Sequence, residues 1–240
     1  MDWGEPMTDK YISKRSPQDL IRDTWKIIGV GNSTVLEIRG ICPVGHQLEP
    51  RSISKLFRRT DYDTEKNFKQ TVNNWAISQN DRGYNMYIVM NSIRPNFTDG
   101  SVCDEDIEFR DLLLIDLDRA KDTKKPATDQ EIDAAFEVAE KICDLLKERG
   151  VDSPSKVMSG NGVHLYFVMD SLQNDQLSKE EIQRLLRLLG RQFDTPEIKV
   201  DCAVFNASRI TKIPGTLMRK GEEIASEGRI FRRAYVCTNH

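Results

Sequence analysis

The sequence predicts an α+β chain in which an N-terminal αβ module, residues 1–100, packs on a C-terminal split-βαβ module, residues 101–240, the two forming one domain. Three observations predict it. Between residues 111 and 204, strand patterns and capped amphipathic helices follow one another in the order β-α-β-β-α-β, the unit also used by RNA-recognition modules. Upstream of that unit, helical stripes and strand patterns alternate. At 240 residues, with 38% hydrophobic and 30% charged, the chain is long enough to bury a sizeable core.

In the N-terminal module, Ser16-Pro17-Gln18-Asp19 is a helix start, with Ser16 as cap and Asp19 where its charge suits the dipole. Leu20, Ile21, Trp25 and Ile28 continue it as a stripe. Thr34 to Ile41 reads as a strand, Asp63 to Asn80 as a helix with Phe68, Val72, Trp75 and Ile77 inward, and Tyr84 to Met90 as a second strand. A module boundary falls near Phe97 to Gly100.

The C-terminal module opens on Asp111 to Asp118, an apolar strand that turns acidic at its end. Thr128 and Glu131 form a capping box for a helix whose stripe runs Ile132, Ala135, Phe136, Ala139, Ile142, Leu145 and Leu146, and Gly150 stops it. Lys156 to Met158 and Val163 to Met169 pair as a hairpin across Ser159-Gly160-Asn161-Gly162, residues that tolerate positive φ. Ser178 to Glu181 reads as a second capping box, before Ile182, Leu185, Leu186 and Leu189. Ile198 to Val204 is the last strand of the unit, and a further strand is expected over Arg233 to Cys237.

Composition excludes several classes. No apolar run approaches the roughly 20 residues of a membrane helix, and Met1 to Glu5 lacks the order of a signal peptide, so a cytoplasmic protein is expected. Five scattered cysteines form neither a disulfide framework nor a zinc ribbon. Cys42 with His46, and Cys237 with His240, each offer two zinc donors, which do not close a site. A net charge of −3 argues against coating nucleic acid through bulk charge. Locally, Asp99 to Asp133 is acidic, whereas between Arg209 and Arg233 seven basic residues outnumber Glu222, Glu223 and Glu227. An acidic metal-holding segment and a basic phosphate-holding one can therefore meet in one fold.

Residues two apart on a strand share a face, so Asp116 and Asp118 present two carboxylates together while Leu117 turns away. Their mutual repulsion is relieved by divalent cations, and hard oxygen donors suit Mg²⁺ or Mn²⁺. The same pair also fits an ordinary solvated strand end. The Ser159-Gly160-Asn161-Gly162 turn can bring amides near phosphate oxygens, with His164 on the outgoing strand; a plain hairpin with a core histidine is the alternative. In a split βαβ sheet the first and third strands are neighbours, which brings Asp116 toward His164. Asp201 begins on the fourth strand, and Arg209 and Lys212 follow it, as phosphate contacts or as solvated loop cations.

Leu-Leu-Leu-Ile-Asp116-Leu-Asp118, Ser159-Gly-Asn-Gly-Val-His164, and Val200-Asp201 running to Arg209, Lys212 and Pro214-Gly-Thr216 together resemble the three motifs of the archaeo-eukaryotic primase superfamily, in particular its primase-polymerase domains from plasmids, phages and mobile elements. Val35 to Gly40, Tyr87 to Pro95 and Arg219-Lys220-Gly221 resemble its flanking segments. The resemblance implies an active site in the cleft between the modules, Mg²⁺ or Mn²⁺ on Asp116, Asp118 and Asp201, and nucleotide contacts from the Ser159 to Gly162 turn, His164, Arg209 and Lys212. One position departs: the family often has serine two residues before the histidine, where this chain has Gly162.

The implied activity is template-dependent joining of dNTPs or NTPs, as primase or polymerase, on single-stranded or primed DNA. Three rivals stay open: a gap-filling repair polymerase that does not prime, a signalling nucleotidyltransferase, and a non-catalytic binding module of RNA-recognition shape, for which Tyr166 and Phe167 would have to stack bases. The sequence has no G-x-x-x-x-G-K-[ST] loop, so a helicase partner is expected on a further C-terminal region or in trans.

Overall fold

The computed structural model describes residues 10–28 and 34–237. The first residues, Met1 to Glu5, and the Thr238 to His240 part of the Cys237–His240 zinc pair lie outside these.

Ser16 caps α1 (Pro17–Ile21), its side chain accepting the Asp19 N–H at 3.1 Å. The single helix expected through Ile28 is instead two, with α2 (Thr24–Ile27) starting after a turn at Arg22 and Asp23. The turn is held from its side chain: buried Asp23 pairs with Arg15 at 2.5 Å and Lys26 at 2.7 Å.

β1 (Val35–Ile41) pairs antiparallel with β2 (Ser52–Arg58), a strand that the polarity pattern does not announce. β2 lies at a sheet edge, where only Phe57 is buried, so period-two burial leaves almost no mark on its sequence. α3 (Glu65–Asp81) buries Phe68, Val72, Ala76 and Asn80, a strict four-residue spacing; the expected Trp75 and Ile77 are only partly buried. β3 (Asn85–Val89) pairs with β1 on the side opposite β2.

After β4 (Ser92–Ile93) comes β5 (Ile107–Arg119), longer than its apolar run, then α4 (Asp129–Glu148), β6 (Ser155–Met158), β7 (Val163–Gln173), α5 (Gln176–Phe193) and β8 (Ile198–Val200). These pair in the order β6-β7-β5-β8, so the first and third strands of the unit are neighbours, as expected of a split βαβ sheet. α4 carries the expected capping box of Thr128 and Glu131. α5 does not start at Ser178: its cap is Asp175, which accepts the Ser178 N–H at 2.8 Å, and Ser178 is the third helical residue. A carboxylate is as good a cap as a hydroxyl and sits one turn earlier.

The last segment interleaves the two modules. β9 (Ile210–Lys212) adds to the first sheet, giving the order β2-β1-β3-β9, whereas β4 pairs with β5 in the second. The boundary near residue 100 therefore separates no independent sheets. β10 (Leu217–Met218) pairs with β11 (Arg232–Arg233), and β12 (Tyr235–Val236) extends the second sheet beside β6. The largest core lies on the second sheet, where Ile115, Leu117 and Leu165 cluster with Ala135, Ala139 and Ile142 of α4 and Leu186 and Leu189 of α5. Burial of such side chains contributes roughly 1.5–3 kcal/mol each. No helix among the described residues is long and apolar enough to cross a membrane.

Candidate active site where the two sheets meet

Alternation along β5 puts Leu117 into the core, fully buried, and leaves Asp116 and Asp118 on the other face at 26% and 38% side-chain exposure. Asp116 is paired across β5 and β7 with His164, and its Oδ1 lies 3.4 Å from His164 Nε2. That is ion-pair range without hydrogen-bond geometry, and the buried Nε2 has no hydrogen-bond partner. The other ring nitrogen is fixed: Nδ1 meets Tyr166 Oη at 2.8 Å, and that hydroxyl bonds in turn to Thr211 of β9. This chain of buried polar groups ties the second sheet to the first.

β9 also delivers Lys212, which stands opposite Tyr87 in the first sheet and donates to Ser159 Oγ at 3.4 Å. Burial lowers the Lys212 ammonium pKa, and the Asp116 and Asp118 charges partly offset that. For Asp116 burial pushes upward, but His164, then Lys212 and Lys220, hold the carboxyl down at about 2. Burial, with Asp116 contributing, pushes the Tyr87 phenol up to about 12, so it is a neutral hydroxyl. Asp118 accepts the Arg119 N–H at 2.8 Å and pairs with Lys220 at 3.2 Å.

Not all expected residues converge. Asp201 is a backbone neighbour, its N–H donating to the Asp116 carbonyl at 2.8 Å, but its Oδ1 accepts the Ala203 N–H at 2.8 Å. Among the described residues no three His, Cys, Asp or Glu side chains gather as a metal cage. The donor set nevertheless suits Mg²⁺, which is commonly held by one or two carboxylates together with substrate phosphates rather than by an all-protein cage. Arg209 turns its Nη2 to the Ala203 carbonyl at 2.6 Å.

The glycine turn is packed rather than open. Ser159 and Asn161 are buried, and Asn161 Oδ1 accepts the Ala127 N–H at 3.0 Å, fixing the loop ahead of α4. Gly160 has φ +94°, and a Cβ there would stand 2.6 Å from Met218 Cβ. At Gly162 a Cβ would fall 2.2 Å from the Leu117 carbonyl oxygen. The position where the family often has serine thus has no room for any side chain in this backbone.

Sequence reasoning did not single out Lys220 or Tyr87 for the site. Lys220 stood in a basic run and, like Tyr87, in a segment resembling the family's flanking segments, but nothing local separates either residue from its neighbours as a site residue. Tyr166 and Phe167 are 2% and 6% exposed, so neither offers a ring face to a base.

Neither a protein-family model nor a curated protein sequence matches the chain. In fold it is similar to the crystal structure of primase RepB', with TM-score 0.50 and 12% identity, over 92% of this chain and 56% of that one. The catalytic domain of RepB' in complex with initiator DNA aligns with TM-score 0.45 and 13% identity, covering 84% of this chain and 78% of that one. The polymerase domain of Ligase D from Mycobacterium tuberculosis, in complex with DNA, aligns with TM-score 0.49 and 16% identity, covering 84% and 75%. The chain spans little more than half the length of the first of these.

Proposed function

From the premise that this chain shares the fold of primase RepB', we propose that it is a template-dependent nucleotidyltransferase, a primase or polymerase that joins nucleoside triphosphates with release of pyrophosphate during replication of a plasmid, phage or other mobile element. The observation that carries the reading is the Asp116–His164 pair at 3.4 Å, with Asp118 on the same face and Lys212 delivered by the other sheet. An anionic pair ringed by cations, at the junction of two sheets, matches a substrate that is itself a polyanion chelated by a cation.

Asp116 and Asp118 would hold Mg²⁺ or Mn²⁺, which when bound stabilises the attacking and leaving oxygens of an in-line displacement. The chain's own residues position the substrate. Lys212, desolvated and only partly paired, is suited to a triphosphate oxygen, and His164, locked through Tyr166 and Thr211, presents Nε2 toward the same space. Asp201 Oδ1 is engaged by the Ala203 N–H and Arg209 Nη2 by the Ala203 carbonyl, so Asp201 would join the carboxylates through its other oxygen and Arg209 would reach phosphate through its remaining N–H groups. Catalysis of this kind is mostly positioning and electrostatics.

The test is extension of a primed DNA template, with Mg²⁺ or Mn²⁺, by wild type and Asp116→Ala. A loss of at least roughly 10³-fold, about 4 kcal/mol of barrier, is expected; equal incorporation by both proteins ends the proposal. Supplying an unprimed single strand with dNTPs or NTPs then separates priming from gap filling. The alternative of a non-catalytic binding module is weakened by the burial of Tyr166 and Phe167, the rings it would need on an open face.

A further inference from the structure

The backbone that runs over the two carboxylates is pinned at two points, and the side chain between them is Lys220. On one side Asn85 of β3 grips Arg219 by both backbone groups: Nδ2 donates to its carbonyl and Oδ1 accepts its N–H, each at 2.8 Å. On the other, the Gly221 N–H donates to the Val44 carbonyl at 2.8 Å, and His46 Nε2 donates to the Gly221 carbonyl at 2.9 Å. Gly221 has φ +64°, and a Cβ there would come 2.4 Å from the Lys124 carbonyl oxygen, so the chain is squeezed between the Cys42 to His46 loop and the loop that follows β5. The Cys-Pro-Val-Gly-His stretch, which offered too few donors for zinc, thus has a different task.

Lys220 Nζ lies 3.2 Å from Asp118 Oδ2, with the two side chains 25% and 38% exposed. A pair this exposed adds little stability. The four hydrogen bonds on its neighbours hold the segment without it, so the ammonium is presented to Asp118 rather than held by it. His164 Nε2 is the near neighbour of Asp116 at 3.4 Å, whereas Lys220 Nζ, at 3.2 Å, stands closer to Asp118 than Arg119 Nε at 3.8 Å.

We propose that Lys220 is the resident counter-cation of Asp118: it competes with a divalent ion for that carboxylate in the nucleotide-free protein, and turns to the triphosphate when metal and nucleotide arrive. The inference rests on the metal reading of Asp116 and Asp118. Two cations cannot share one carboxylate oxygen without mutual repulsion, so displacing Lys220 weakens metal binding, and a nearby phosphate restores it by accepting the ammonium.

The experiment is Mn²⁺ titration of the full chain, followed by loss of the free-ion electron paramagnetic resonance signal, for wild type, Lys220→Met, Lys212→Met and Asp116→Asn, each checked for a native melting transition. Without nucleotide, Lys220→Met is expected to bind Mn²⁺ about twofold to fivefold tighter than wild type, the range set by loss of one partly exposed ion pair. With Mn²⁺ saturating, the same variant is expected to bind dATP more weakly. Wild-type or weaker Mn²⁺ affinity in Lys220→Met overturns the proposal. So does an equal gain in Lys212→Met, because any nearby positive charge would then suffice. Absence of Mn²⁺ binding in both wild type and Lys220→Met overturns the metal reading itself, and retention of full affinity by Asp116→Asn places the ion elsewhere.

Discussion

Gly162 lies against Leu117 so closely that a Cβ on it would stand 2.2 Å from the Leu117 carbonyl oxygen, one residue ahead of Asp118. The obstacle is backbone of a central strand, which cannot turn aside as a side chain can. Gly162→Ser, the change that would bring the chain closer to the primase motif, is therefore expected to destabilise the fold by about 1–3 kcal/mol, the usual cost of overpacking. Urea denaturation measures it, and a variant as stable as wild type would show that the β5–β7 junction yields.

Asp116 supplies a pH prediction. Its carboxyl sits at about 2 in place of 3.8, because His164, Lys212 and Lys220 outweigh the effect of burial. A lowered carboxyl pKa contributes stability that is complete above the unfolded value and is lost as pH falls toward the folded one. In chelator, wild type should lose up to about 2 kcal/mol more than Asp116→Asn as pH falls from about 5 toward 2. Parallel pH profiles of unfolding free energy for the two proteins would contradict the pairing.

Glu131 closes a second charged cluster, behind the site. It accepts from Arg229 at 2.9 and 3.1 Å, from Arg119 at 3.2 Å and from the Thr128 N–H at 2.8 Å, while the Arg119 and Arg229 side chains are only 2% and 10% exposed. Removing the carboxylate leaves the two guanidinium groups to more exposed partners, among them Glu227 at 3.1 Å from Arg229 and Asp118 at 3.8 Å from Arg119. Glu131→Ala is expected to cost about 3 kcal/mol in urea unfolding and to expose the loop through Lys125 and Pro126, whose carbonyls Arg119 holds, to limited proteolysis. A cost below that of an ordinary surface substitution, about 0.5 kcal/mol, would mean the arginines find other partners.

Lys212 should separate stability from function. Its charge is desolvated and incompletely compensated, so Lys212→Met is expected to raise the unfolding free energy of the nucleotide-free protein by about 1 kcal/mol. The same change should raise the KM for nucleoside triphosphate by roughly tenfold, the worth of one charge-assisted hydrogen bond. A destabilised protein with unchanged KM would assign Lys212 to the scaffold through Ser159 and remove it from the substrate.

Much of the fold is written in local patterns. The capping box of Thr128 and Glu131, the turn between β6 and β7 and the apolar run that ends in Asp116 and Asp118 each involve residues within a few positions of one another. Local reading failed where a second local solution was as good, as with Asp175 against Ser178, or where the element had little buried face, as with β2.

By itself the sequence determined the β-α-β-β-α-β order, the common face of Asp116 and Asp118, and a motif series similar to that of primase-polymerases, because alternation and helix capping act between near neighbours. Tertiary structure alone decided the register that sets Asp116 directly opposite His164, that β9 crosses back to bring Lys212 and Thr211, that the Cys42 to His46 loop and Asn85 pin the backbone around Lys220, and that Gly162 admits no side chain. Those facts depend on strand register and on the closure of segments more than a hundred residues apart, which no pattern within either segment encodes.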